Sequence, residues 1–189
     1  MKKILLASGS PRRVDLLKRA GVPFTAEESE YEEDLGLQCP PKELAVELAK
    51  GKAASAAQKH TDAVIIAADT TVVLGSLVLG KPHTPERAKE MLHMLSGTTH
   101  SIVTGYVVLD VATGERRTGS VETTIHFKKI SEDEIDAYVE TGESLDKAGA
   151  YAIQGEGRRF VEKYEGDYEG AVGLPVGLIL EALKELGAL

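Results

Sequence analysis

The chain has no tryptophan, only three phenylalanines and a single cysteine, Cys39, in 189 residues. One cysteine excludes an intrachain disulfide, and the five histidines show no His-x-x-His or comparable ligand spacing, which argues against zinc. No apolar run approaches the ~18 to 20 residues that a membrane span requires. Basic runs are equally scarce: none exceeds two residues, and the formal charge is −8, so a DNA or RNA polymer is an unfavourable ligand. A small anion can still occupy a local basic pocket. Gly-x-Ser-x-Gly, a Walker lysine loop and the dinucleotide glycine fingerprint are all missing, which removes serine-hydrolase, P-loop and Rossmann chemistry. The opening Met-Lys-Lys-Ile-Leu-Leu-Ala runs too briefly before Ser8 for a signal peptide, and together with the lone cysteine it points to the cytoplasm.

What is present is ordinary globular composition, 42% hydrophobic and 28% charged. The length suffices to bury a core as one domain, or as two small lobes sharing one sheet. Lys3 to Ala7 predicts a short buried strand that stops at a Ser/Gly/Pro turn. Val14, Leu16, Leu17 and Ala20 then recur at helical spacing up to Gly21. Pro40 and Pro41 open a second helix to about His60, and Val64 to Ala68 is a nearly continuous apolar run of the kind found in central parallel strands, ended by Asp69. Val72 to Leu79 suggests a hairpin around Gly75-Ser76, and Thr84 caps a helix closed by Gly97. Alternating segments at 99–109 and 118–128 flank Thr113-Gly114 as a long antiparallel pair, and Ser131 caps a helix to about Glu140. Residues 142–174, with seven glycines, read as loops and short strands, and Pro175 begins a last amphipathic helix.

Several positions carry candidate chemistry. In Ser8-Gly9-Ser10-Pro11-Arg12-Arg13, Ser10 is placed to cap a helix and Pro11 fits its first position, so free amides and the positive dipole end face whatever lies above the strand. Two guanidiniums with forked donors suit a phosphate there, although a plain capped surface helix has the same sequence. Lys52 follows Leu44 and Leu48 at four-residue steps, on a face that should turn inward, so it needs an anionic partner unless its stem snorkels. Asp69 after a buried strand is a candidate base or metal ligand, or equally an Asx turn with Thr70 and Thr71. Glu32 and Glu33 sit in an acidic stretch beginning at Glu27, which is either a solvated loop or a source of a second carboxylate beside Asp69 around a divalent ion. Gly80-Lys81-Pro82 sets a lysine just ahead of another helix start, as a phosphate contact or a simple turn.

Taken in order, Ala-Ser-Gly-Ser-Pro-Arg-Arg, Glu32-Glu33, Lys50-Gly51-Lys52-Ala53, Ala68-Asp69-Thr70, Leu79-Gly80-Lys81-Pro82, Asp146-Lys147-Ala148-Gly149-Ala150-Tyr151 with Ile153-Gln154-Gly155, and Gly173-Leu174-Pro175 form a series that closely resembles the Maf family over about residues 4 to 180. The resemblance implies an elongated Maf/ITPase-like α/β fold over residues 1–189, a mixed, twisted central sheet flanked by helices, as one domain with two lobes around a central cleft. It also implies a nucleoside triphosphate pyrophosphatase that uses a divalent cation, Mg2+ or Mn2+, to cleave the α,β bond. By matched positions Asp69 is the general base and Glu33 with Asp69 holds the metal. Ser8, Ser10, Arg12, Arg13, Lys52 and Lys81 surround the phosphates. Arg13, Thr70 and Gln154 resemble the branch acting on dTTP and UTP, where the Gln154 carboxamide can accept from N3–H and donate to O4 of uracil or thymine. Tyr164 departs from the family, standing where an aliphatic residue is usual.

The expected partner is thus a small nucleoside triphosphate, with no nucleic-acid polymer and no membrane. The exposed hairpin and the resemblance leave a homodimer open. A 7-methyl-GTP pyrophosphatase, a nucleotide-binding regulator of septum formation and a structural module with an incidental anion site are the competing readings. Intact Asp69, Lys52 and Lys81 weigh against the regulator.

Overall fold

A computed structural model describes residues 2–32 and 39–189. Its seven strands form one mixed sheet in the order β2-β1-β3-β5-β6-β7, with β4 paired to β3. The chain divides into two compact units.

The first unit comprises Met1–Asp69, Thr104–Val121 and Gly173–Leu189. Its strand β1 (Lys3–Ala7) runs parallel to β2 (Thr25–Glu27) on one side and to the start of β3 (Ala63–Leu74) on the other. Parallel neighbours with both faces covered explain the unbroken apolar run, and Val64 to Ala68 are all fully buried. Helix α1 (Pro11–Arg19) follows β1 directly, and α2 (Pro41–Ala57) stops three residues short of the predicted His60. Small residues on α2 let it lie close: Ala49, Ala53 and Ala56 pack on Leu5, Ala7, Ile65, Ala67 and Val107. The closest approach is at Gly105, where a Cβ would stand 2.3 Å from the Ala45 carbonyl carbon. Strands β5 (Thr99–Asp110) and β6 (Arg116–Phe127) are the predicted long pair, joined by a turn in which Gly114 N donates to Asp110 O. The closing helix is α6 (Val176–Glu185).

The second unit comprises Thr70–Val103 and Glu122–Val172. It holds β4 (Leu77–Leu79), α3 (Pro85–Leu95) capped by Thr84, and α4 (Glu132–Glu140) with a full Ser131/Glu134 capping box, all at the predicted places. The glycine-rich stretch contains a short strand, as expected, but much of what read as loop is wound into 3-10 turns. It winds into 3-10 turns at Glu143–Asp146, Ala148–Ala150 and Glu156–Phe160, followed by β7 (Val161–Glu165) and a one-turn helix α5 (Tyr168–Val172). β7 closes one edge of the sheet, pairs antiparallel with β6, and exposes every residue after Val161. Tyr164 on that edge is 39% exposed, and its ring lies tilted against Tyr168 at 5.3 Å.

β3 is the main departure from expectation. Asp69 does not end it; the strand runs on through Thr70, Thr71, Val72 and Val73, β-branched residues suited to a pleated surface. The Asx-turn alternative is thereby removed.

The core of the second unit contains a polar pair. His100 is 3% exposed, its Nε2 shares a 2.7 Å hydrogen bond with the Tyr151 hydroxyl, and Phe127 meets both rings edge-on. Burial, and behind it the charge of His126, push His100 from the ordinary 6.5 down to about 4. The unfolded chain therefore binds this proton more readily than the folded one between those values, and stability is lost as pH falls from about 6.5 to about 4. The loss attributable to His100 is up to about 3 kcal/mol. Denaturant titrations across that window should show a shallower decline for His100→Gln than for the parent chain; equal slopes would refute the assignment.

Candidate active site

β1 delivers the chain to a tight turn in which Ser8 N donates to Leu6 O at 2.9 Å. Ser8 is buried, and its hydroxyl accepts from Ser10 N at 3.2 Å and from an Arg13 terminal nitrogen at 3.3 Å. Ser10 occupies the N-cap position of α1 with Pro11 after it, as expected, but its side chain makes no capping bond. The hydroxyl that orders the turn is Ser8, two residues earlier, which accepts from both the Ser10 amide and Arg13. Arg13 is also committed internally: its Nε donates to Gly173 O at 2.8 Å, fastening the turn to the segment that precedes α6. Arg12 lies half-buried on the first turn of α1.

Asp69 enters the same unit from β3. β1 and β3 run in register from Lys3 and Ala63 to Leu6 and Ile66, and Asp69 lies three residues beyond that ladder on β3, while β1 ends at Ala7. Its side chain is 6% exposed, and the Lys52 ammonium, 12% exposed, sits 2.5 Å from Oδ1. The inward lysine thus has its anionic partner within the protein, and snorkelling is not its explanation. Two charges withdrawn from water require this contact, since a lone buried carboxylate or ammonium carries a desolvation cost of several kcal/mol.

The acidic stretch docks onto α2 by contacts that its charge pattern does not show. Ser29 donates to the Lys52 carbonyl at 3.4 Å, and the Tyr31 ring lies flat against Gly51, where a Cβ would stand 2.2 Å from the ring. A side chain at the glycine between Lys50 and Lys52 would have to displace the Tyr31 ring. Glu27 and Glu30 pair with Lys59, Glu27 also meets His60, and the Glu28 carboxylate rests over Gly9 of the turn. Glu28 and Tyr31 were not among the residues that motif and spacing singled out; an aromatic next to an acidic run, opposite a helical glycine, was the only available signal. Glu33 lies outside the described residues.

Thr70, Lys81 and Gln154 belong to the second unit. Thr70 is half-buried, next along β3, and Gln154 is half-buried just before Gly155. Lys81 is exposed on the loop ahead of α3, and that loop is clamped from both ends: Gly149 N donates to Gly80 O at 3.1 Å, and His83 N to Leu145 O at 3.2 Å. The clamp rests on a left-handed pair, Gly149 at φ 65° and Ala150 at φ 62°, and Gly149 is pressed on Val72 with no room for a side chain.

Residues 3–186 match the family described as Maf-like protein. This chain belongs to the Maf family. A Bacillus cereus (strain ATCC 10987 / NRS 248) protein named dTTP/UTP pyrophosphatase is 45% identical over 98% of this chain and 90% of its own length. A Bacillus anthracis protein of the same name is also 45% identical, covering 98% of this chain and 96% of its own. Among solved structures, the Staphylococcus aureus Ham1 protein aligns with a TM-score of 0.54 at 16% identity, over 97% of this chain and 99% of that one, which establishes the shared mixed α/β fold.

Among the described residues no three His, Cys, Asp or Glu side chains cluster as a ready-made metal cage. For the Tyr31–Gly51 contact the expectation is specific. Gly51→Ala should destabilise the protein, although alanine improves an exposed helix by about 1 kcal/mol. In a Tyr31→Ala background the same change should instead stabilise; thermal melts of the four proteins decide it.

Proposed function

We propose that this chain is a nucleoside triphosphate pyrophosphatase that cleaves the α,β-phosphoanhydride of dTTP and UTP, releasing the nucleoside monophosphate and pyrophosphate. The observation that carries the reading is a buried carboxylate–ammonium pair, Asp69 with Lys52, in a chain 45% identical to proteins named for that activity. Water attacks the α-phosphorus, its oxygen forms the new P–O bond, and the bond to the bridging oxygen of pyrophosphate breaks. Asp69 takes the water's proton, while Lys52 on Oδ1 holds the carboxylate in one orientation so that its other oxygen meets the water. Ser8, Ser10 and Arg12 at the α1 end, together with Arg13, Lys52 and Lys81, bind the phosphate oxygens, where preformed amides and cations counter the developing charge. Thr70 and Gln154 contact the nucleoside.

A divalent cation fits this donor set. Asp69 is a hard oxygen ligand, and Mg2+ is commonly held by one or two carboxylates plus the substrate phosphates rather than by a protein cage. Asp69 and Glu33 would hold Mg2+ or Mn2+, which when bound supplies charge neutralisation at the phosphoryl oxygens. We place the enzyme in the cytoplasm, where its substrates are made, as a single domain of two lobes; among the described residues no helix is long and apolar enough to cross a membrane.

Incubation with dTTP, UTP, CTP and 7-methyl-GTP in the presence of Mg2+ or Mn2+ should release pyrophosphate, fastest from dTTP and UTP. Asp69→Asn should lower kcat by about 10²- to 10⁴-fold while nucleotide still binds in titration. Orthophosphate as the first product, or full turnover by Asp69→Asn, would overturn the reading.

A further inference from the structure

Three donors converge on the Glu143 carboxylate in the second unit. The Tyr138 hydroxyl reaches Oε1 at 2.9 Å, the Gly157 amide reaches Oε1 at 3.1 Å, and the Glu156 amide reaches Oε2 at 3.1 Å. The two amides begin the 3-10 turn Glu156–Phe160, whose N-cap residue Gly155 has no side chain to serve them. Glu143 therefore caps that turn from thirteen and fourteen residues away, with charge-assisted bonds. The backbone wraps tightly around the carboxylate: Gly155 has φ 82°, and a Cβ there would stand 2.6 Å from Oε2.

The other end of the link is rigid. Tyr138 on α4 is fully buried, its ring meets Phe160 edge-on at 5.1 Å, and the Arg159 guanidinium covers both rings. Burial, and then the carboxylate beside it, raise the Tyr138 hydroxyl well above its ordinary range, so it stays a donor. A continuous connection thus runs from the α4 core through Tyr138 and Glu143 to the turn that Gln154 enters. Gln154 itself lies in a segment with no strand or α-helix ladder to hold it.

We propose that Glu143 is a positioning residue for nucleobase selection, fixing the Gly155–Gly157 turn so that the neighbouring Gln154 carboxamide meets the pyrimidine edge at both of its hydrogen-bonding atoms. The proposal rests on Gln154 contacting the base. A two-point amide contact is sensitive to small displacement, and a misplacement of about 1 Å can cost on the order of a hundredfold. Glu143 directs its hydrogen bonds to Tyr138 and to the Gly155–Gly157 turn, so its loss is felt in base discrimination rather than in bond cleavage.

The test measures kcat and KM for UTP, dTTP and CTP with the parent chain, Glu143→Ala, Glu143→Gln, Gln154→Ala and the double variant Glu143→Gln/Gln154→Ala. Glu143→Ala should raise KM for UTP and dTTP roughly tenfold or more, leave kcat within about twofold, and shrink their preference over CTP. Glu143→Gln retains an acceptor for Tyr138 and Gly157 but not for both amides, and should recover part of that preference. It also serves if the alanine variant fails to fold. In the double variant the losses should not add, because both act through one contact. If Gln154→Ala changes the preference and neither Glu143 variant does, the positioning role is refuted and the base reading stands. If no variant changes it, the base reading falls and this proposal with it. An equal fall in kcat for all three nucleotides would mark Glu143 as structural only.

Discussion

The ion pair between Lys52 and Asp69 is the constraint around which the first unit is arranged. Both groups are nearly closed off from water, so neither can be left without the other. The contact requires α2 to lie at one height and one rotation on the sheet, and the packing supplies both: alanines at 49, 53 and 56 face Leu5, Ile65 and Ala67, and Gly105 lets the helix backbone touch β5. The same satisfied charge allows β3 to continue through an aspartate in mid-strand. Strand continuity, helix placement and the candidate base are consequences of one contact.

Internal hydrogen bonds also fix several of the candidate groups within each unit. Ser8 and Arg13 lock the turn after β1 and tie it to Gly173, and the 145–149 segment clamps the loop bearing Lys81. For groups that meet a bound ligand, such ordering beforehand lowers the entropy lost on binding. It also means that Arg13 has a structural duty in addition to any contact with phosphate.

The order of elements was legible because strong local signals agreed: the apolar run of β3, proline at the starts of α1, α2 and α3, and the Ser131 cap. The family was legible through motif order, and the inward lysine through helical spacing. What could not be read was set by distant partners. Nothing local to Asp69 says that Lys52 will neutralise it and let the strand run on. Ser10 has the composition of a cap yet makes no capping bond, and the ordering bonds of the turn go to the Ser8 hydroxyl. Gly51 gives no hint of Tyr31, nor Glu143 of amides thirteen residues later, since these pairings depend on tertiary proximity. The 3-10 turns of the glycine-rich stretch have no hydrophobic period to announce them.

The last strand of the sheet bears on behaviour at high concentration. Among the described residues β7 has a strand partner on one side only, and outside Val161 it presents Glu162, Lys163, Tyr164 and Glu165 to solvent. A neighbouring molecule adding its own strand there would meet a row of charged side chains, on a protein already carrying a formal −8. The exposed Tyr164 is thereby flanked by groups that oppose sheet extension, so crowding should not turn this edge into a template for fibrous association.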